Sequence, residues 1–181
     1  MSIWKLLGMK TVDPVAGSRS AESDTVRKIV DRLGGLPPDR ARYIAMFAFL
    51  LSRVANADLS ISQEETHAME RIVAEKGGLP EEQAVIVVHM AKTENLLFGG
   101  TDNFSVAKEF QQVADREQRI ALMRCLFAVS AADHSISTVE SNVIRQIGDE
   151  LGLEHSDFVR LRTEFREHLA VLRSIDRPPA D

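Results

Sequence analysis

Apolar positions recur at three- and four-residue steps along most of the chain, and no segment alternates the way a half-buried strand does. Pro37-Pro38-Asp39 opens a helix whose apolar stripe is Ile44, Phe47, Leu50, Leu51 and Val54. Ser62 is placed to cap a second, with Met69, Ile72 and Val73 inward and Gly77-Gly78 closing it. Leu79-Pro80-Glu81-Glu82 starts a third, with proline and acids in the first turn, where the helix dipole favours them. Farther on, Asp115 caps a helix carrying Leu122, Cys125, Leu126 and Val129. Ser137 caps one carrying Val143, Ile144, Ile147 and Leu151, closed by Gly152. Ser156 caps a last one with Val159, Leu161 and Phe165 inward. A short helix from Asp24 or Thr25 to Leu33, ended by Gly34-Gly35, precedes them all. The pattern predicts an all-α fold.

The helices come in two sets. The frame A-D-x-S-I-S-x-x-E occurs from Ala57 to Glu65 and again from Ala132 to Glu140, an offset of 75, and six of its nine residues are identical in both copies. At the same offset Phe47 meets Leu122, Leu50 meets Cys125, Leu51 meets Leu126 and Val54 meets Val129. Beyond the frame, Glu75 and Gly77 meet Glu150 and Gly152. Two copies are too few for a solenoid, so the expectation is a compact helical bundle of about seven to eight helices, with an internal pseudo-twofold repeat of three-helix units. The units run over 39–93 and 115–170, with 94–114 as the join. Residues 1–24 read as a flexible tail with a short amphipathic segment, 25–172 as the helical domain, and 173–181 as a disordered C-terminal tail.

Composition narrows the function. A net charge of −5 over 181 residues argues against a nucleic-acid partner, which needs a basic face for phosphates. No stretch approaches the roughly 18 apolar residues of a membrane span; the run from Ile44 to Leu51 stops at Ser52-Arg53. A single cysteine, Cys125, forms no internal disulfide and fits a reducing, cytoplasmic setting; its place on an apolar helix face marks it as a small buried hydrophobe rather than a nucleophile. The five histidines, His67, His89, His134, His155 and His168, show no zinc-ligand spacing.

The repeated frame is the chain's one feature with chemical character, and it has a purely structural side. Ser62-x-x-Glu65 and Ser137-x-x-Glu140 fit the capping box, and Ile61 and Ile136 fall where a hydrophobic staple belongs. The aspartates are less well explained. Asp58 and Asp133 each follow a helix, at the negative pole of its dipole, where a cation or a donor-rich partner would reverse an unfavourable placement. Asp58, Ile61 and Glu65 also reproduce half of the calcium loop D-x-[DN]-x-[DN]-G-x-x-x-x-x-E, as do Asp133, Ile136 and Glu140. The other half is missing. Val54 or Val129 stands at the first ligand position and Leu59 or His134 at the turn glycine, so a true EF-hand is excluded.

Carried by Ala57-Asp58…Ile61…Glu65 and Ala132-Asp133…Ile136…Glu140, the chain resembles the TerB family, named for bacterial tellurite resistance. It is similar also to the N-terminal region of the membrane-anchored DnaJ-like co-chaperone DjlA. The resemblance covers residues 39–170. It implies an all-helical bundle with a pseudo-repeat, a divalent cation held by Asp58, Glu65, Asp133 and Glu140, and work in stress-response assemblies near the membrane rather than catalysis. The family often has glycine after each aspartate; Leu59 and His134 stand there in this chain.

The expected function is a non-enzymatic interaction module with an unidentified protein partner, no catalytic residues and, as its only cofactor, a divalent cation. The competing readings are a metal-dependent hydrolase, which lacks histidine ligands and any nucleophile–base spacing, and a peripheral membrane adaptor. Residues 1–10 could serve the latter, with Trp4, Leu6 and Leu7 dipping into lipid and Lys5 and Lys10 facing headgroups. That contact predicts that the full chain co-sediments with anionic liposomes while a chain beginning at Thr25 does not; equal partitioning of the two contradicts it.

Overall fold

The computed structural model describes residues 31–54, 63–93, 103–132 and 135–169. After a helical turn at 31–34 these residues form α1 (Pro38–Ser52), α2 (Gln63–Gly77), α3 (Glu81–Lys92), α4 (Asn103–Val113), α5 (Arg116–Ser130), α6 (Thr138–Glu150) and α7 (His155–Glu164), then a 3-10 turn (Arg166–His168). Among the described residues there is no strand, only an isolated bridge between Ile136 and Leu169. The all-α expectation holds.

Two helices form the centre. In α1 every residue from Tyr43 to Ser52 is buried, and in α5 Leu122, Met123 and everything from Cys125 to Ser130. The apolar stripe of α1 is therefore only one of its covered sides. Ala45 and Ala48, with Met46 and Phe49, are buried on the others, as a helix apolar all round requires. α3 packs on α1 and α2, α2 lies along α5, and α5 also receives α6 and α7. The strongest packing of the first set thus runs through α3 and that of the second through α5, so the two sets are not arranged alike.

The join is more than a connector. Residues 103–113 are a helix, α4, that buries Val106, Ala107 and Phe110 and bridges the sets by touching α1 and α6. The Phe110 ring lies 5.1 Å from that of Tyr43 and 6.4 Å from that of Phe47. Three apolar positions at steps of one and three are a short helical signal, and the polar residues around them hide it in the sequence.

Two details of α7 also depart from the sequence pattern. Its N-cap is Glu154, without a side-chain cap bond, and Ser156 lies inside the first turn, donating to Glu154 at 3.2 Å. The inward residues are Phe158 and Leu161, whereas Val159 is exposed. Phe165 is half-buried and stacks on Phe127 at 5.7 Å.

Equivalent positions share burial in the first helix of each set: Phe47, Leu50, Leu51 and Val54 on one side, Leu122, Cys125, Leu126 and Val129 on the other. The second helices drift apart. The left-handed glycines that end them are Gly78, φ 65°, and Gly152, φ 66°, so α2 reaches its stop one residue later than the offset of 75 would have it. The extra residue, Gly77, is buried where a Cβ would lie 2.9 Å from Phe47 Cζ, which lets α2 come close to the centre. Glu75 consequently stays exposed while its counterpart Glu150 is buried.

Glu150 needs a partner there, and α1 supplies it. Arg53 Nη1 donates to Glu150 Oε2 at 2.6 Å and Nη2 to Oε1 at 3.3 Å, both side chains being under a tenth exposed. Gln146 Nε2 adds a donor to Oε1 at 2.9 Å. A fork-on-fork pair of this kind satisfies both buried charges and fixes the end of α1 against the end of α6.

Removing one member leaves the other charge buried alone. Arg53→Met is expected to lower unfolding stability by about 3–5 kcal/mol, and adding Glu150→Leu to recover most of that, since a well-packed apolar pair often replaces a buried ion pair at little cost. Urea denaturation of both variants checks the pair of values; a single-variant loss as small as the double-variant loss contradicts the assignment.

Candidate functional site

The second frame is described around its gap at 133–134. Ser137 is extended, φ −70° and ψ 162°, and is the N-cap of α6. The Glu140 N–H donates to Ser137 Oγ at 3.1 Å, and the Ser137 N–H donates to Glu140 Oε2 at 2.8 Å. The expected capping box is present in full, and α5 opens with the same device: Asp115 Oδ1 accepts from the Gln118 N–H at 2.8 Å, and Gln118 Oε1 from the Asp115 N–H at 2.9 Å. Glu140 therefore has a structural task that requires no ligand.

Ile136 departs from the staple geometry. The position it would clasp on α6 is Ser141, which is polar. Instead Ile136 is 1% exposed and pairs with Leu169: its N–H donates to the His168 carbonyl at 2.6 Å, drawing the segment after α7 across the start of α6.

In the first frame, Glu65 is exposed in the first turn of α2, beside Glu64, where a carboxylate suits the positive end of the helix. Asp58, Ser62 and Ile61 of that frame, and Asp133 of the second, lie outside the described residues. The four expected ligands Asp58, Glu65, Asp133 and Glu140 are thus seen only through their two glutamates. Among the described residues no group of three or more His, Cys, Asp or Glu is arranged to hold a metal ion.

Other titratable groups find one another in ways the sequence did not announce. Glu70 of α2 meets His67 Nδ1 at 3.0 Å and His89 Nε2 of α3 at 3.7 Å. Burial pushes the His89 ring below its ordinary pKa, and Glu70 pulls the other way. His67-x-x-Glu70 is a readable one-turn pair. His89 comes from another helix and gives no local signal. The Cys125 thiol is fully buried and burial alone pushes its pKa up to about 12, so it remains a protonated, inert side chain at neutral pH. No helix among the described residues is long and apolar enough to cross a membrane.

The helices, the caps and the two acid frames fit one family. Residues 43–163 match the model of the family described as Tellurite resistance protein TerB, well over half of the chain. The chain belongs to the TerB family. All four acids of the frames fall inside the matched span, as do all seven described α-helices but residues 38–42 of α1 and the last residue of α7. None of the curated proteins and none of the solved structures shows a significant match to it. The TerB match establishes a tellurite-resistance-type helical module and assigns no chemistry to single residues.

Cap and ligand roles of Glu140 separate by substitution. Ser137→Ala is expected to cost about 1 kcal/mol of stability. Glu140→Gln keeps an oxygen to accept from the Ser137 N–H and is expected to change stability by less than about 0.5 kcal/mol. Denaturation curves of the two variants test this; a large loss for Glu140→Gln means that the charge itself is needed.

Proposed function

We propose that this TerB-family chain is a non-enzymatic interaction module of a bacterial stress response, acting in the cytoplasm or at the membrane surface, with its acidic corner holding a divalent cation, a basic segment of a protein partner, or the two together. The observation that carries the reading is the family match, which spans both acid frames. The capping box absorbs Ser137 and Glu140, whereas Asp58 and Asp133 have only an Asx-type turn as a structural reading, and Asp133 follows the end of α5 by three residues, near the negative pole of its dipole. Oxygen ligands from carboxylates suit calcium, magnesium or manganese better than zinc. The buried, protonated Cys125 thiol is not available as a nucleophile.

The test is calorimetric titration of the full chain with calcium, magnesium, manganese and zinc. Saturable binding of a hard cation is expected, abolished by Asp58→Asn together with Asp133→Asn while the helical circular dichroism is unchanged. The absence of heat with all four metals ends the cation part of the proposal. Turnover of a phosphoester or peptide substrate that is lost on Glu65→Gln would replace the module by a hydrolase.

A further inference from the structure

Beside the second frame lies a pocket of about 270 Å³, bounded by the start of α6, by α7 and by the segment after it. Its floor is apolar, from Ile136, Phe158 and Leu169. Arg145, His155 and Arg162 stand around it with hydroxyl and amide groups of the first turns of α6, and no carboxylate lines it. In a chain of net charge −5 this is a concentration of positive charge that the acidic corner does not use.

Arg162 decides what the pocket suits. Its neighbours on this side of the bundle are paired: Arg116 and Arg160 reach Asp157 at 2.7 and 3.5 Å, and Arg124 Nε reaches Glu164 at 2.8 Å. The Arg162 side chain makes no hydrogen bond or ion pair with the described residues, and its Nε is buried without an acceptor. Such a donor carries a desolvation penalty that an incoming anion removes. Arg145 approaches only Asp149, at 3.7 Å, with the two side chains 51% and 63% exposed, a pairing that solvent screens heavily.

We propose that this pocket binds a phosphate monoester with a small apolar ester group. Two guanidiniums keep their positive charge at any pH near neutrality, and a phosphate monoester carries about −1.5 to −2 at pH 7, so the charges balance. A carboxylate leaves one cation unmatched. Guanidinium forks fit phosphate oxygens, the Ser141 hydroxyl and Asn142 amide add neutral donors, and the floor receives the ester group. The volume lies just under the roughly 300–1,000 Å³ of drug-sized ligand pockets, which limits that group to about the size of one ring.

Calorimetric titration of the full chain with phenyl phosphate, inorganic phosphate, benzoate and phenol tests this. Phenyl phosphate is expected to saturate with a Kd below about 1 mM, inorganic phosphate and benzoate to bind roughly tenfold or more weakly, and phenol not to bind. Arg162→Gln and, on a more exposed side chain, Arg145→Gln are each expected to weaken phenyl phosphate about tenfold with no loss of melting temperature or helical circular dichroism, while Arg166→Gln, outside the pocket, leaves the affinity unaltered. Failure of phenyl phosphate to saturate, or affinity unchanged in both pocket variants, overturns the proposal; benzoate binding as tightly overturns the assignment to phosphate monoesters. Each of these outcomes is independent of cation binding at Asp58 and Asp133.

Discussion

Two helices whose C-terminal halves have no polar side have to be covered there on every face, and the other helices are the cover. From Tyr43 to Ser52 in α1 and from Cys125 to Ser130 in α5, apolar or small side chains run around the full circumference, so each needs neighbours in several directions at once. α3, α4 and α2 meet that need between them, and α6 and α7 complete it around α5. The same demand explains why the glycine at 77 sits under Phe47 and why a helix forms in the join: any gap over α1 would expose aromatic surface. Charge follows from packing. Once α6 is drawn against the end of α1, Glu150 is buried, and the Arg53 guanidinium at the end of α1 supplies its counter-charge.

Much of this was legible in the chain. Helix starts at Pro38, Asp115 and Ser137 carry local chemistry, a fixed φ or a reciprocal cap, that acts within four residues and so can be read without knowing the fold. Ser156 misled because an acid two residues earlier extends the backbone first and takes the capping position without a side-chain bond. α4 and the exposure of Val159 depend on which surfaces happen to face one another, and that is a long-range property. The repeated frame was legible as sequence, yet the environments it generates diverge: equal positions hold an exposed Glu75 and a buried Glu150.

The candidate site divides in the same way. The capping role of Glu140 was written in the spacing, and the geometry bears it out in both hydrogen bonds. The meeting of His67, Glu70 and His89, and the gathering of Arg145, His155 and Arg162, each bring together separate helices, and no spacing rule reaches across them. In this TerB-family chain, separate helix surfaces thus assemble groups that the repeated frame does not encode.

The hydrogen bond from Ile136 to the His168 carbonyl has a temporal side as well. It joins the entry of α6 to residues synthesised more than two helices later, and Leu169, its companion in the bridge, closes over the buried Ile136. During synthesis α1 to α5 can leave the ribosome and begin to pack, but the start of α6 stays uncovered until the segment after α7 has emerged. The second copy of the frame is therefore the last part of the described fold to be completed, and it is the part most exposed to any truncation of the message beyond α7.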